Sequence, residues 1–143
     1  MLMDKNFERA IKFTLKWEGG LAEDKNDPGG LTKYGISQKS YPYEDIKNMT
    51  LERAKEIYYQ NYWLKSDCDK IPFPMNLIIF DTSVNCGRKR AKELFVNSLG
   101  WQDYLFKRIK FYAGLKNFKF FGRGWVNRVI DLYDLVKKTE NQF

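Results

Sequence analysis

Apolar residues along this chain recur mostly at helical spacing, and strict alternation is scarce. Phe7, Ala10, Ile11, Thr14 and Leu15 stand at i, i+3, i+4, i+7 and i+8 and predict a first helix. It opens at Asp4, a good N-cap, and closes at Gly19-Gly20, because glycine adopts the left-handed conformation of a C-cap. Residues 21–36 are rich in Gly, Asp and Pro without a helical period, so a loop or short hairpin is expected there. A second helix is predicted over 51–64, capped by Thr50. Pro72 and Pro74 mark the start of a third, with Leu77, Phe80 and Val84 as its apolar stripe and Gly87 as its stop. Three more follow over about 88–99, 102–115 and 123–138. Their stripes are Ala91/Leu94/Phe95, Leu105/Ile109/Tyr112 and Trp125/Val129/Leu132/Val136. The chain thus reads as mainly α: a single domain, 1–143, of about six helices with a loop or short hairpin after the first. Residues of about 73–138 form a helical lobe of that domain rather than an independent one.

Composition narrows the chemistry. Histidine is absent, which removes Ser-His-Asp and Cys-His nucleophiles and any histidine-ligated zinc hydrolase. The two cysteines, Cys68 and Cys86, make neither a disulfide framework nor a CxxC metal site, and read as buried free thiols. No metal or cofactor is implied. Acid–base work falls mainly to carboxylates, with Tyr and Lys as lesser candidates. The net charge of +7, from 25 basic and 18 acidic residues, suits an anionic partner or simply solubility. Its charges are interspersed, with no clustered basic face or helix-turn-helix signature, which argues against nucleic acid. No apolar run approaches the ~20 residues of a membrane span, so no stable membrane insertion is expected. The N-terminus lacks the apolar core of a signal peptide, and a monomer is expected.

One stretch concentrates the carboxylates: "WEGGLAEDKNDPGGLTKYGIS", Trp17 to Ser37. Glu18 follows Phe7 by eleven residues and Ile11 by seven, which places it on the apolar face at the C-terminal end of the first helix. Partial burial and the negative end of the helix dipole both disfavour its ionised form. A carboxylic acid that stays protonated near neutral pH is what a glycosidase uses to protonate a leaving oxygen. Asp27 follows nine residues later and Thr32 fourteen, with Asp24 a rival to Asp27. Either aspartate is placed to support positive charge at a sugar or activate a water that Thr32 holds; "NDPGG" is equally strong turn chemistry.

This stretch resembles the signature of glycoside hydrolase family 108, peptidoglycan muramidases of phage endolysins and secretion activator proteins. The likeness continues, in the family's order, in "RAKEIYYQNYW" (53–63), "FDTSVNCG" (80–87) and "FFGRGWVNRV" (120–129). The resemblance implies a lysozyme-like, mainly helical fold and makes the glutamate of E-G-G, Glu18, the catalytic acid. Glu18, Asp27 and Thr32 also resemble the Glu–Asp–Thr arrangement of phage lysozymes, with one residue fewer before the threonine. Leu21 stands where the family usually has an aromatic residue, and "WQDYLFKRI" keeps little of the family's D-G-x-x-G wall-binding stretch.

The implied activity is an N-acetylmuramidase cutting the β-1,4 bond between N-acetylmuramic acid and N-acetylglucosamine, its partner the peptidoglycan glycan strand. Synthesis in the cytoplasm, with release to the wall through a holin or another route, goes with it. A lytic transglycosylase, a non-catalytic wall-binding or secretion-accessory protein and a basic nucleic-acid-binding domain are the rivals. Asp81 and Asn85, one helical turn apart, are candidates for a sugar contact or for a structural network. Tyr34, Tyr58, Tyr62 and Trp63 are candidates for sugar stacking or for core. Arg123 and Arg128, flanking Trp125, are candidates for the carboxylates of the wall peptide or for helix capping.

Overall fold

The structure is a computed structural model that describes residues 4–19, the backbone of 21–23, and residues 30–141. Helix α1 (Lys5–Glu18) starts where its cap predicts: the Asp4 carboxylate accepts the Phe7 N–H at 2.6 Å. It stops at Gly19, whose φ of 77° carries the chain out of helical geometry. Of the two expectations for the segment after it, a loop or a short hairpin, the described residues take the hairpin. Strands β1 (Leu21–Glu23), β2 (Leu31–Lys33) and β3 (Ile36–Ser37) form a three-stranded antiparallel sheet in chain order. Thr32 pairs with Ala22 on one side and Ser37 on the other.

Helix α2 (Leu51–Tyr58) is capped by the Thr50 hydroxyl, which accepts the Arg53 N–H at 3.1 Å. The predicted α-helix over 51–64 is not continuous, because Tyr59–Leu64 winds on as a π-helix. A 3₁₀ turn (Cys68–Lys70) leads to α3 (Met75–Cys86). Then come α4 (Arg88–Val96), α5 (Trp101–Ala113) and α6 (Phe118–Glu140). Helix α4 is shorter than its pattern suggests, and α6 starts five residues earlier.

The largest departure is α3. The three-residue stripe predicts an amphipathic helix, yet every residue from Asn76 to Ser83 is buried. It packs against α1, the π-helix, α4 and α5, so it has no solvent face over that stretch. Around it the core is aromatic. Phe7 lies edge-on to Tyr59, Trp63 and Phe80 at 5.0, 5.5 and 5.7 Å, which pins α1, the π-helix and α3 at one point. Both thiols are free. Cys68 is buried, and burial pushes it well above the usual thiol range, whereas Cys86 is only half-buried, at the end of α3 beside the Tyr112 hydroxyl.

Candidate active site

The last turn of α1 is braced against α6. The Trp17 indole N–H donates to Asp131 at 2.8 Å, and Lys16 pairs with the same carboxylate. Arg128 lies three residues before Asp131, on the face of α6 that also buries Leu132 and Val136. From there its Nη1 donates to Oε1 of Glu18 at 3.1 Å. The Glu18 side chain is 22% exposed and that of Arg128 is 7%.

Arg128 is not free to neutralise Glu18 alone. Its Nε and Nη2 hold Asp81, at 3.1 Å to Oδ2 and 2.8 Å to Oδ1. Asp81 is fully buried in the middle of α3 and also accepts from Arg108 Nη2 at 2.9 Å and the Thr14 hydroxyl at 2.8 Å. Burial alone would raise the Asp81 carboxyl, but Arg108 and Arg128 outweigh it and hold it below the usual aspartate range. The buried set Asp81, Arg108 and Arg128 carries one surplus positive charge, and Glu18 is the carboxylate that faces it. Burial raises the Glu18 carboxyl above the ordinary glutamate value, and the attraction of Arg128 offsets that only in part. The nearby Asp81 charge pushes the same way as burial. The outcome is a partly buried acid that keeps its proton to higher pH than an ordinary glutamate, with a cation beside it for its ionised form.

The hairpin closes over this acid. Tyr34 and Gly35 join β2 to β3 and both have positive φ, 53° and 77°, the pattern of a two-residue type I′ turn. A bulky residue in this region is strained, and the Tyr58 hydroxyl donates to the Tyr34 carbonyl at 2.6 Å to hold it there. Gly35 has no room for a side chain. An added Cβ would stand 2.5 Å from the Tyr58 hydroxyl oxygen and 3.0 Å from Glu18 Oε2.

The sequence-predicted residues separate accordingly. Glu18 is half-buried at the helix end, as its periodicity requires. Thr32 is half-buried at the centre of the sheet, and Tyr34 is half-buried in the turn beside Glu18. Asp24 and Asp27 lie outside the described residues. Asp81 takes the network alternative: at 0% exposure it reaches no ligand. Asn85 joins the same network, accepting from Tyr112, whose hydroxyl in turn accepts from Arg108 at 2.9 Å. Tyr58 and Trp63 are core, 2% and 0% exposed, and present no face to a sugar. Tyr62 is half-buried, with its ring 5.7 Å from that of Tyr58. Arg123 is exposed on α6 and takes no part in the Glu18 network. Sequence reasoning missed the pairing of Arg128 with Glu18 and the role of Arg108. A cation on an apolar stripe was the available signal: Arg128 with Leu132 and Val136, and Arg108 between Tyr104 and Tyr112.

No curated protein matches the chain. A solved structure of SagA from Brucella abortus superposes with a TM-score of 0.78 at 23% identity, covering 92% of this chain and 94% of that one. That likeness establishes the mainly helical, lysozyme-like fold. The sequence family described as Glycosyl hydrolase 108 matches residues 11–87, which takes in Glu18, the sheet folded over it and the buried Asp81 behind it. The match spans over half the chain, and this protein is a member of glycoside hydrolase family 108.

Proposed function

We propose that the protein is an N-acetylmuramidase, hydrolysing the β-1,4 bond between N-acetylmuramic acid and N-acetylglucosamine of peptidoglycan, with Glu18 as general acid. The observation that carries the reading is the Glu18 environment: a carboxyl raised by burial, open to solvent on one side, with Arg128 at 3.1 Å on the other. Protonated Glu18 donates its proton to the glycosidic oxygen as the C–O bond breaks. The carboxylate that remains is stabilised by Arg128, whose own charge is held in place by Asp81. Asp27, or Asp24 in its place, supports positive charge at the sugar, and Thr32 holds the attacking water. Water adds at the anomeric carbon and gives one proton back, so the acid is restored. The substrate lies outside the cytoplasm, and the protein reaches it by release through the membrane, by a holin-type or another route.

The test is digestion of purified peptidoglycan by the wild type and by Glu18→Gln, with the new chain ends identified by mass. Reducing N-acetylmuramic acid ends, made by the wild type alone, are the expected result. Anhydro ends would assign a lytic transglycosylase. Absence of new ends, with the protein folded, would overturn enzymatic action on this polymer.

A further inference from the structure

A concavity opens beside α3 and α4. It holds about 830 Å³ and runs between the turn after the π-helix and the exposed side of α4. Its rim is cationic: Lys65, Arg88, Lys89 and Lys92 line it, and among the described residues none of them forms an ion pair. Lys70 lines it too, 3.7 Å from Asp67, the one acid among its described lining residues. The floor is apolar, formed by Ile71, Ile79 and Ala91, with Phe95 and Val96 38% and 67% exposed at its edge. Ser66 lines the same wall, and its hydroxyl is buried without a hydrogen-bond partner among the described residues.

This groove adjoins a hollow near the acid. Tyr62 shares a smaller hollow of about 240 Å³ with Lys65 and Arg88, the two residues that also begin the cationic rim. Tyr62 in turn packs on Tyr58, whose hydroxyl stands next to Gly35 and Glu18. Tyr62 is half-buried, so the smaller hollow lies one side chain, the buried Tyr58, away from the acid, and the groove with its positive edge and apolar base begins at the other end of that hollow.

We propose that this groove binds the acidic peptide stem of the glycan substrate, with stem carboxylates on Lys89, Lys92 and Arg88 and alanine methyl groups on the apolar floor. The inference rests on the muramidase reading. Charge complementarity selects an anionic occupant. The apolar floor selects the stem over a wall-attached polyphosphate, since a stem offers carboxylates and methyl groups side by side and a polyphosphate offers charge alone. The groove thus adds a peptide subsite to the sugar cleft, and the enzyme prefers strands whose stems are intact.

The experiment compares wild type with the double variant Lys89→Gln/Lys92→Gln, both exposed positions, with folding followed by circular dichroism. Glycan strands bearing stems and strands stripped of them by an amidase serve as substrates, and free alanyl-glutamyl-diaminopimelyl-alanine is titrated as the isolated ligand. Rim charges act weakly one by one, so two of them are worth about three- to tenfold. The wild type is expected to show a higher kcat/KM on stem-bearing strands, and the variant to lose about three- to tenfold of that ratio together with a matching loss in peptide Kd. An unchanged ratio, a peptide that fails to bind the wild type, or a poly(glycerol phosphate) that binds more tightly than the peptide would each overturn the assignment. Peptide binding that depends on Lys89 and Lys92, without new chain ends from either glycan, would instead overturn the muramidase reading and leave the peptide site standing.

Discussion

Arg128 donates to Glu18 at 3.1 Å across 110 residues of chain, and the same guanidinium is clamped by Asp81, which no solvent reaches. Glu18 therefore meets a cation already spoken for on two of its three nitrogens. A free arginine at this distance would hold a carboxylate ionised; a shared one leaves burial the larger influence.

Replacing Arg128 removes the influence that lowers the Glu18 pKa and leaves the one that raises it. In Arg128→Gln the carboxyl rises further, and the alkaline limb of the activity–pH profile, where Glu18 loses its proton, moves to higher pH. The variant also strips a partner from buried Asp81, which costs about 3–5 kcal/mol. A pH–rate profile and a urea melt check the two effects, and an alkaline limb at the wild-type position would refute the first.

Glu18→Gln separates catalysis from stability in opposite directions. Activity falls ~10²–10⁴-fold, the usual worth of a general acid. The folded-state pKa of Glu18 is raised, so its contribution to stability is complete below the unfolded value of about 4.3 and is lost as pH rises through the folded value. The amide does not titrate. The variant should match wild type in acid and exceed it at neutral pH, read by thermal melts across pH. A variant less stable than wild type at pH 7 would contradict the raised pKa.

Asp81 has the opposite sign. Its folded pKa is depressed, so it stabilises above the unfolded value of about 3.9, and that stability is lost as pH falls through the lower folded value. Wild type is expected to lose stability steeply below about pH 4. Asp81→Asn, already destabilised at neutral pH because Arg108 loses its carboxylate partner and Arg128 keeps Glu18 alone, should lose less in the same interval. Parallel acid titrations of the two proteins would count against the ion network as the cause.

Gly35 and Gly30 make a matched pair. Both have positive φ, 77° and 65°, so alanine at either costs about 1–2 kcal/mol of backbone strain. Only at Gly35 does the new methyl meet Tyr58 and Glu18; at Gly30 no atom of the described residues comes within 4 Å of it. Gly35→Ala should lose on the order of 10²-fold in kcat through displacement of Glu18, whereas Gly30→Ala keeps the wild-type rate within severalfold. Equal activities at equal stability would remove the hairpin from the catalytic geometry.

Of the two loop aspartates, Asp27→Ala is expected to cost more activity than Asp24→Ala. The nine-residue offset from Glu18 to Asp27 motivates the order. Kinetics on solubilised glycan strands decide it, and the reverse order would transfer the supporting role to Asp24.

Helix ends and one face of Glu18 were legible in the sequence because they depend on neighbours within a turn or two. Asp4 and Thr50 cap the N–H groups three residues on, at 2.6 and 3.1 Å, and Gly19 and Gly87 end helices through a φ that other residues resist. The half-burial of Glu18 followed from its spacing to Phe7 and Ile11. The pairings that surround it did not. Asp81 meets Arg108 and Arg128 over separations of 27 and 47 residues, and Gly35 meets Glu18 only because a hairpin folds back onto the end of α1. Tyr58 and Trp63 carry the same aromatic faces in sequence whether they bind sugar or fill a core. Periodicity says which side of a helix turns inward; only the packing of distant segments determines what it meets there, since a charge or a ring takes its role from the atoms within a few ångströms and not from its place in the chain.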